Sequence, residues 1–575
     1  MSATVHAHES RRPPTLWLRN SIISVYFLLA AGSLAAWWWV GRPIHLAAAG
    51  TDQLDCVSYT PPAEAREANG AVAVAQIEAD LKVLATRTKC VRTYSVMGGL
   101  DRVPPIAKQL GLKVLLGVWI SATPKDNEKE IARAIALAHD YHDVIHSIIV
   151  GNEVLLRHEQ TAAALAPLLE RVRNETQMPV TYADVWEFWL RNAELASSAS
   201  YITIHILPYW EDDPVAIDQA LAHVADIYNK VRERFPGKTI FIGETGWPSA
   251  GRPRKGAVPS RVNEARFIRE FVDYANAHDI PYNIIEGYDQ PWKRLLEGTV
   301  GGYWGVFDAA GAPKFPMNGP VENQPYWRSG MLAALACALV FAGAAFFWKP
   351  RPSVRALSFV ALAGYSAGAV AAAQWFYLLQ SNRNVSEWIA TVCWTLFAWL
   401  TFGSVTFALI RWLDRGGILR SPADALAIVG SWGHGRAASR KVNRLLGLGR
   451  FVVLLGAAYT CAGLVFAPRY RDFPIELIAL AVVALAALEF IRLVDRDPEE
   501  SHKNAVEEAL LATWIALASV VVTVSEGLQN YRALTWNALA LLLAASVLVP
   551  FYIGTRKYER AQQQTDSGEL EPVQN

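Results

Sequence analysis

The chain has 575 residues, more than one hydrophobic core organises, because cores stop growing near about 250–300 residues. Hydrophobic residues make up 52% and charged residues 19%, with 21 Trp and a mean hydropathy of +0.16, which excludes both intrinsic disorder and a wholly soluble chain. Lysine and arginine number 54 against 53 acidic residues, a formal net charge of +1, so no overall field draws nucleic acid and no such partner is expected.

In chain order, the first apolar stretch, 20–40, has the length of a bilayer span and follows Arg11, Arg12 and Arg19. Ala47, Ala48 and Ala49 resemble a signal-peptide cleavage site. Against that, the apolar core is longer than a usual secretion signal, and Trp37, Trp38 and Trp39 before Arg42 suit an interfacial anchor. Residues 1–49 therefore read as a cytoplasmic N-terminus with an uncleaved anchor.

Residues 50–320 are a long hydrophilic insert with eight short β-rich runs: 54–59, 89–94, 112–118, 146–151, 179–183, 201–206, 239–243 and 282–287. Polar or Gly/Pro signals bound each run, and amphipathic stretches such as 128–142 and 215–234 lie between them. Eight buried parallel strands with helical crossovers predict an α/β fold, a (β/α)8 TIM barrel, whose chemistry sits at the C-terminal strand ends. Cys56 and Cys90 fall in this insert and could pair if it is exported. A direct bridge between neighbouring parallel strands is awkward, so their pairing stays open. No C-x-x-C and no metal-ligand cluster occurs, and neither a metal nor a cofactor is expected.

Seven further apolar stretches follow, at 330–348, 356–379, 389–410, 451–467, 475–494, 509–525 and 533–553. They make 330–554 an all-α multi-span domain in a lipid bilayer, closed by a polar tail, 555–575. The termini and short loops of one side hold twenty Lys and Arg, including Lys349, Arg351, Arg355 and a basic loop within 411–450. The other side holds four: Arg383, Arg469, Arg471 and Arg532. That asymmetry predicts cytoplasmic termini and an outer-face barrel. Cys337, Cys393 and Cys461 read as small membrane-buried residues. Glu489 lies near a cytoplasmic span end, and no mid-span charge points to an ion-coupled transporter.

Gly151-Asn152-Glu153 ends the fourth β-rich run, and Gly243-Glu244-Thr245-Gly246-Trp247-Pro248-Ser249 ends the seventh. Two carboxylates across a barrel mouth suit glycoside hydrolysis, which needs a proton donor and a nucleophile or base. The bland alternative is two surface glutamates. Both fall at strand ends in an aromatic-rich setting, which favours the catalytic reading.

The wording resembles glycoside hydrolase family 17, the β-1,3-glucanase and β-1,3-glucan transglycosylase family. The similar pieces are VSYTPP (57–62), CVRTYS (90–95), KVLLGVWI (113–120), VGNEVL (150–155), HILPYW (205–210), IGETGWPS (242–249), EGYDQPWK (286–293) and YWGVFDAAGAPKF (303–315). With its membrane remainder, the chain resembles the rhizobial NdvC-type proteins of periplasmic β-glucan synthesis. The resemblance implies Glu153 as acid/base, protonated at rest, and Glu244 as an ionised nucleophile. It implies that Asn152 bonds the 2-hydroxyl of the reacting sugar; Tyr209, on the sixth strand, is the candidate to orient Glu244, with a packed barrel-rim tyrosine as the alternative. His205 is either a donor to the site or an inward-facing barrel residue. Tyr59, Arg92 and Tyr94 close the first two strands and either bind sugar or buttress the site. Glu286 and Lys293 form a charge network or a structural ion pair. Trp119, Trp186, Trp210, Trp247, Trp292 and Trp304 are candidates for sugar stacking, with core packing the default for each.

The expected partners are β-glucan donor and acceptor chains, with a membrane glucan synthase as a further candidate. Three readings follow: a periplasmic retaining β-glucan transglycosylase, forming β-1,6 branches or cyclising its product; an endo-β-1,3-glucanase with the same pair; and a non-catalytic glucan-binding export component.

Overall fold

A computed structural model describes residues 16–62, 70–347, 352–415, 419, 422, 441–494 and 505–566. Much of the basic loop within 411–450, together with Arg11, Arg12, Lys349, Arg351 and the tail beyond 566, lies outside the described residues. The chain divides into two compact units, Pro43–Asn323 and the remainder.

The first unit is a closed barrel of eight parallel strands in sequential order. They are β1 (Val57–Ser58), β2 (Cys90–Arg92), β3 (Lys113–Val118), β4 (Ile145–Asn152), β5 (Val180–Val185), β6 (Ile202–His205), β7 (Ile240–Thr245) and β8 (Tyr282–Ile284). Val57 pairs with Ile284 to close the ring. Each strand lies within or overlaps one of the eight β-rich runs, because Val and Ile dominate them and parallel strands are buried on both faces. Crossover helices cover the outside. Ile131, Ala134, Leu137 and Ala138 of helix Pro124–Asp140 are buried at helical spacing, and truncating such a leucine costs about 2–5 kcal/mol. Thr161 caps the next helix, Ala162–Thr176, by accepting from the Ala164 amide, and Ser260 caps Arg261–Ala277 through Asn263. Cys56, Leu115, Ile149, Ala183 and Phe241 form one small apolar cluster. Cys56 and Cys90 form a disulfide beside the Val57–Val91 pair, which settles the question their spacing left open.

Two register breaks prepare the site. Ile149 pairs with Thr181, but Asn152 pairs with Ala183, so β4 carries one extra residue before Glu153. Ile204 pairs with Ile242 and His205 with Glu244, so β7 carries one extra residue at Gly243. A bulge re-aims the side chain that follows it. Gly151 meets the first break at φ 86°, a left-handed conformation that glycine adopts without penalty. At Gly243 the requirement is space: a Cβ there would lie 2.4 Å from the Thr203 methyl.

The second unit contains eight described helices long and apolar enough to cross a membrane, with apolar segments Leu16–Gly41, Trp327–Phe346, Val354–Ser381, Val385–Asp414, Arg444–Phe466, Ile475–Val494, Val506–Glu526 and Tyr531–Ile553. Several of its buried polar side chains are paired. Glu489 bonds Arg492 at 2.7 Å, Glu508 bonds Arg450 at 2.5 Å, and Gln374 accepts from Trp399 at 2.9 Å. Such pairing is what charge in an apolar bundle requires.

Candidate active site

Both glutamates stand at the C-terminal mouth of the barrel. Glu153 follows β4 at φ 52°, an uncommon backbone conformation for a residue with a side chain, and its amide donates to the Ala183 carbonyl at 2.8 Å. One oxygen of Glu153 and one of Glu244 lie within 4.8 Å of each other.

Glu244 is enclosed, its side chain 6% exposed. Its Oε1 accepts from Arg92 Nη1 at 3.1 Å and from the Tyr94 hydroxyl at 2.8 Å. Arg92 is itself locked, donating to the Gly243 carbonyl at 2.7 Å and to Asn152 Oδ1 at 2.5 Å. Ser58 Oγ lies 2.8 Å from the Tyr94 oxygen and accepts from Asn283 at 2.8 Å. Burial and the neighbouring Glu244 charge push the Tyr94 phenol well above its usual range, so it stays a donor.

Glu153 is more open, its side chain 25% exposed, and its Oε1 lies 3.0 Å from His205 Nδ1. Burial pushes its carboxyl up, but the His205 hydrogen bond and the charges of His205, Arg157 and Arg92 outweigh burial and hold it below the ordinary value. His205 is the residue common to both sides, with Nε2 3.6 Å from Glu244 Oε1.

The remaining candidates divide by burial. Trp119 follows β3 at 37% exposure with the Arg157 guanidinium 4.3 Å over its ring, which leaves an aromatic face at the mouth. Trp210 lies nearly parallel to Trp304, 16° between planes at 6.4 Å. Trp292 is half-buried and donates to Gln290 at 2.8 Å. Lys293 bonds both oxygens of Glu286 at 2.8 Å. Burial pulls the lysine down, but Glu286 and Glu297 outweigh that and keep it cationic.

Burial and bonding place four further candidates away from the two glutamates. Tyr209 does not orient Glu244: its single hydroxyl proton goes to the Arg252 carbonyl at 2.6 Å, and Arg92 and Tyr94 hold Glu244 instead. Tyr59 is buried and donates to Asp80 at 2.9 Å, away from both glutamates. Trp247 is fully buried and donates to the Val258 carbonyl at 3.0 Å, so it packs rather than stacks on sugar. Trp186, 8% exposed, is likewise a core residue.

Two carboxyls went unread in the sequence. Asp184 on β5 accepts from Tyr182 and from the Val185 amide; burial raises it to about 6, with Glu153 adding to the rise. Glu297, at the end of the short helix Arg294–Glu297, is raised to about 7 by burial, and by Glu286, Glu153 and Glu244. The β-rich run 179–183 stops one residue short of Asp184, and nothing local marks Glu297.

Residues 56–305 match the family described as the BtgE/BtgC glycoside hydrolase domain. The chain is 28% identical over 262 residues to a glucan 1,3-beta-glucosidase of Arthroderma benhamiae, covering 42% of this chain and 83% of that protein. It is 28% identical over 225 residues to a probable beta-glucosidase btgE of Aspergillus fumigatus, but spans 39% of that relative's length. Among solved structures, a glycoside hydrolase family 17 beta-1,3-glucanosyltransferase from Rhizomucor miehei is 24% identical with a TM-score of 0.41, covering 46% of this chain and 97% of that one. Residues 56–305, which form the barrel, are thus similar to a BtgE/BtgC glycoside hydrolase domain.

Proposed function

We propose that the barrel is a retaining β-1,3-glucan transglycosylase acting through a covalent glycosyl-enzyme. The observation that carries this reading is the carboxylate separation. Oxygens within 4.8 Å suit direct attack by one carboxylate, whereas inversion needs about 6.5–9.5 Å to admit a water. Glu244, gripped by Arg92 and Tyr94, attacks C1. Glu153, on the open side, gives a proton to the departing sugar oxygen and takes one from the acceptor hydroxyl. Asn152, held by Arg92, faces the 2-hydroxyl, and Trp119, Trp210 and Trp292 offer rings to the C–H faces of glucose. β-1,3-Glucan as substrate is supported by the names of the relatives.

Transfer is favoured by the eight spanning-length helices in the same chain, which suit work on a polymer emerging from a membrane synthase. The glucosidase names of the fungal relatives favour the second reading, hydrolysis through the same intermediate. Full-length protein in detergent, given a β-1,3-gluco-oligosaccharide at millimolar concentration, should release products longer than the donor. Only shorter products across a wide donor range would make hydrolysis the better reading.

We place the barrel in the periplasm of a bacterial inner membrane, with both termini cytoplasmic. The Lys/Arg asymmetry supports this, as does the Cys56–Cys90 disulfide, which persists in oxidising compartments. Reporters fused after residue 320 and within 421–445 should report opposite faces, the first outside. A periplasmic signal from the second site would overturn the topology.

A further inference from the structure

We propose that His205 is a positioning residue that shares a single proton with Glu153, so that the acid of the first step and the base of the second is the Glu153–His205 pair. This rests on the catalytic reading above and adds to it where the proton resides. His205 ends β6, between Val185 on β5 and Glu244 on β7, and its side chain is 1% exposed, so water does not solvate either ring nitrogen. The charged or titratable groups facing it are Arg92 from β2, Glu153 after β4, Asp184 from β5 and Glu244 from β7.

His205 Nε2 has no hydrogen-bond partner, and Glu244 Oε1 lies 3.6 Å from it. A bare nitrogen lone pair aimed at a carboxylate oxygen would be repelled, whereas an N–H there is attracted; Nε2 therefore carries a proton. Nδ1 is then either the lone-pair nitrogen of a neutral ring or the second N–H of an imidazolium. At 3.0 Å from Glu153 Oε1, a neutral ring must accept a proton that Glu153 carries, and an imidazolium must donate to a Glu153 carboxylate. Both states place one proton between the same two atoms. This accounts for a Glu153 carboxyl held below its ordinary value in a site that nevertheless needs an acid.

The proton balance is complete. In the first half-reaction the shared proton goes to the glycosidic oxygen while the C1–O bond breaks and a Glu244 oxygen bonds C1. In the second, the acceptor oxygen bonds C1, the C1–Glu244 bond breaks, and the acceptor hydroxyl proton returns to the pair. Arg92 cannot play this part, because a guanidinium does not give up its proton at these pH values.

The test uses full-length protein in detergent with two donors, a β-1,3-gluco-oligosaccharide and an aryl glucoside whose leaving group needs no protonation. A proton held jointly with an imidazole leaves at higher pH than one held by a carboxyl alone, the ordinary values being about 6.5 and 4.3. In His205→Asn and His205→Gln, the basic limb of kcat/KM for the oligosaccharide should therefore move at least about one pH unit toward acid, with a loss of about tenfold or more at neutral pH. Glycosylation by the aryl donor should stay within about threefold of the parent. Equal losses on both donors with an unmoved limb would make His205 merely structural and overturn the proposal.

Glu244→Ala, run beside these, separates the two ideas, since undiminished turnover there would sink the catalytic reading itself. A second measurement needs no turnover. In 15N-histidine spectra of the full chain, which has 12 His, one imidazole should lose its proton at lower pH in Glu153→Gln than in the parent, because the anionic partner is gone. Twelve unshifted titrations would also overturn it.

Discussion

The two glutamates share a residue type, a strand-end position and a bulge before them, yet their surroundings differ in whether the neighbouring groups can titrate. Glu244 receives a guanidinium and a phenol, both donors that keep their protons, and its side chain is 6% exposed. Glu153 faces an imidazole, whose ring nitrogens can either donate or accept a proton, and its side chain is 25% exposed. A nucleophile needs fixed donors that hold it in place. An acid/base needs a partner that can take part in proton exchange and an open side through which leaving group and acceptor pass. The lesson is that identical side chains acquire distinct roles from whether their neighbours titrate.

That contrast can be broken at either glutamate. The largest loss is expected for Glu244→Ala, several orders of magnitude on every donor, because no covalent intermediate forms. Azide entering the vacated space should attack an activated β-donor directly and give an α-glycosyl azide; a β product would exchange the two roles. Glu153→Ala should lose orders of magnitude on glucan but far less on a donor with a good leaving group, and azide should resolve its glycosyl-enzyme to a β-glycosyl azide. Near-normal glucan turnover by either variant would leave the barrel as a binding module.

The smallest effect sharpens the boundary of the site. Tyr59 donates to Asp80 rather than to either glutamate, so Tyr59→Phe should leave kcat and KM of the folded enzyme unchanged. It strands a buried acceptor, and unfolding should become easier by about 1–3 kcal/mol, read as a lower melting temperature. A raised KM at unchanged stability would return Tyr59 to the substrate surface.

The membrane half offers a second contrast. Its apolar stretches carry no mid-span charge suited to ion coupling, and the described helices pair Glu489 with Arg492 and Glu508 with Arg450. These pairs bring together residues from separate helices or adjacent turns, a relation that hydropathy does not express.

Much of the fold and the centre of the site were legible from residue order alone. Alternating β-rich and amphipathic runs report local periodicity, and local periodicity is a property of neighbours in sequence, so the eight strands and the eight apolar helices could be read directly. The strand-end rule then led to Glu153 and Glu244, with Asn152 and Arg92 close by. What residue order could not express is direction and distance across the ring. Tyr209 and Trp247 sit in the same motifs as His205 and Glu244, yet their polar atoms turn to the Arg252 and Val258 carbonyls. Asp184 and Glu297 are remote in sequence from both glutamates but feel their charge. Above all, His205 stood as one of two equal alternatives until barrel closure put it within 3.0 Å of Glu153 and 3.6 Å of Glu244. Which strands exist is decided by side chains a few residues apart. Which protons are shared is decided by atoms brought together from β4, β6 and β7, and only the closed ring sets those distances.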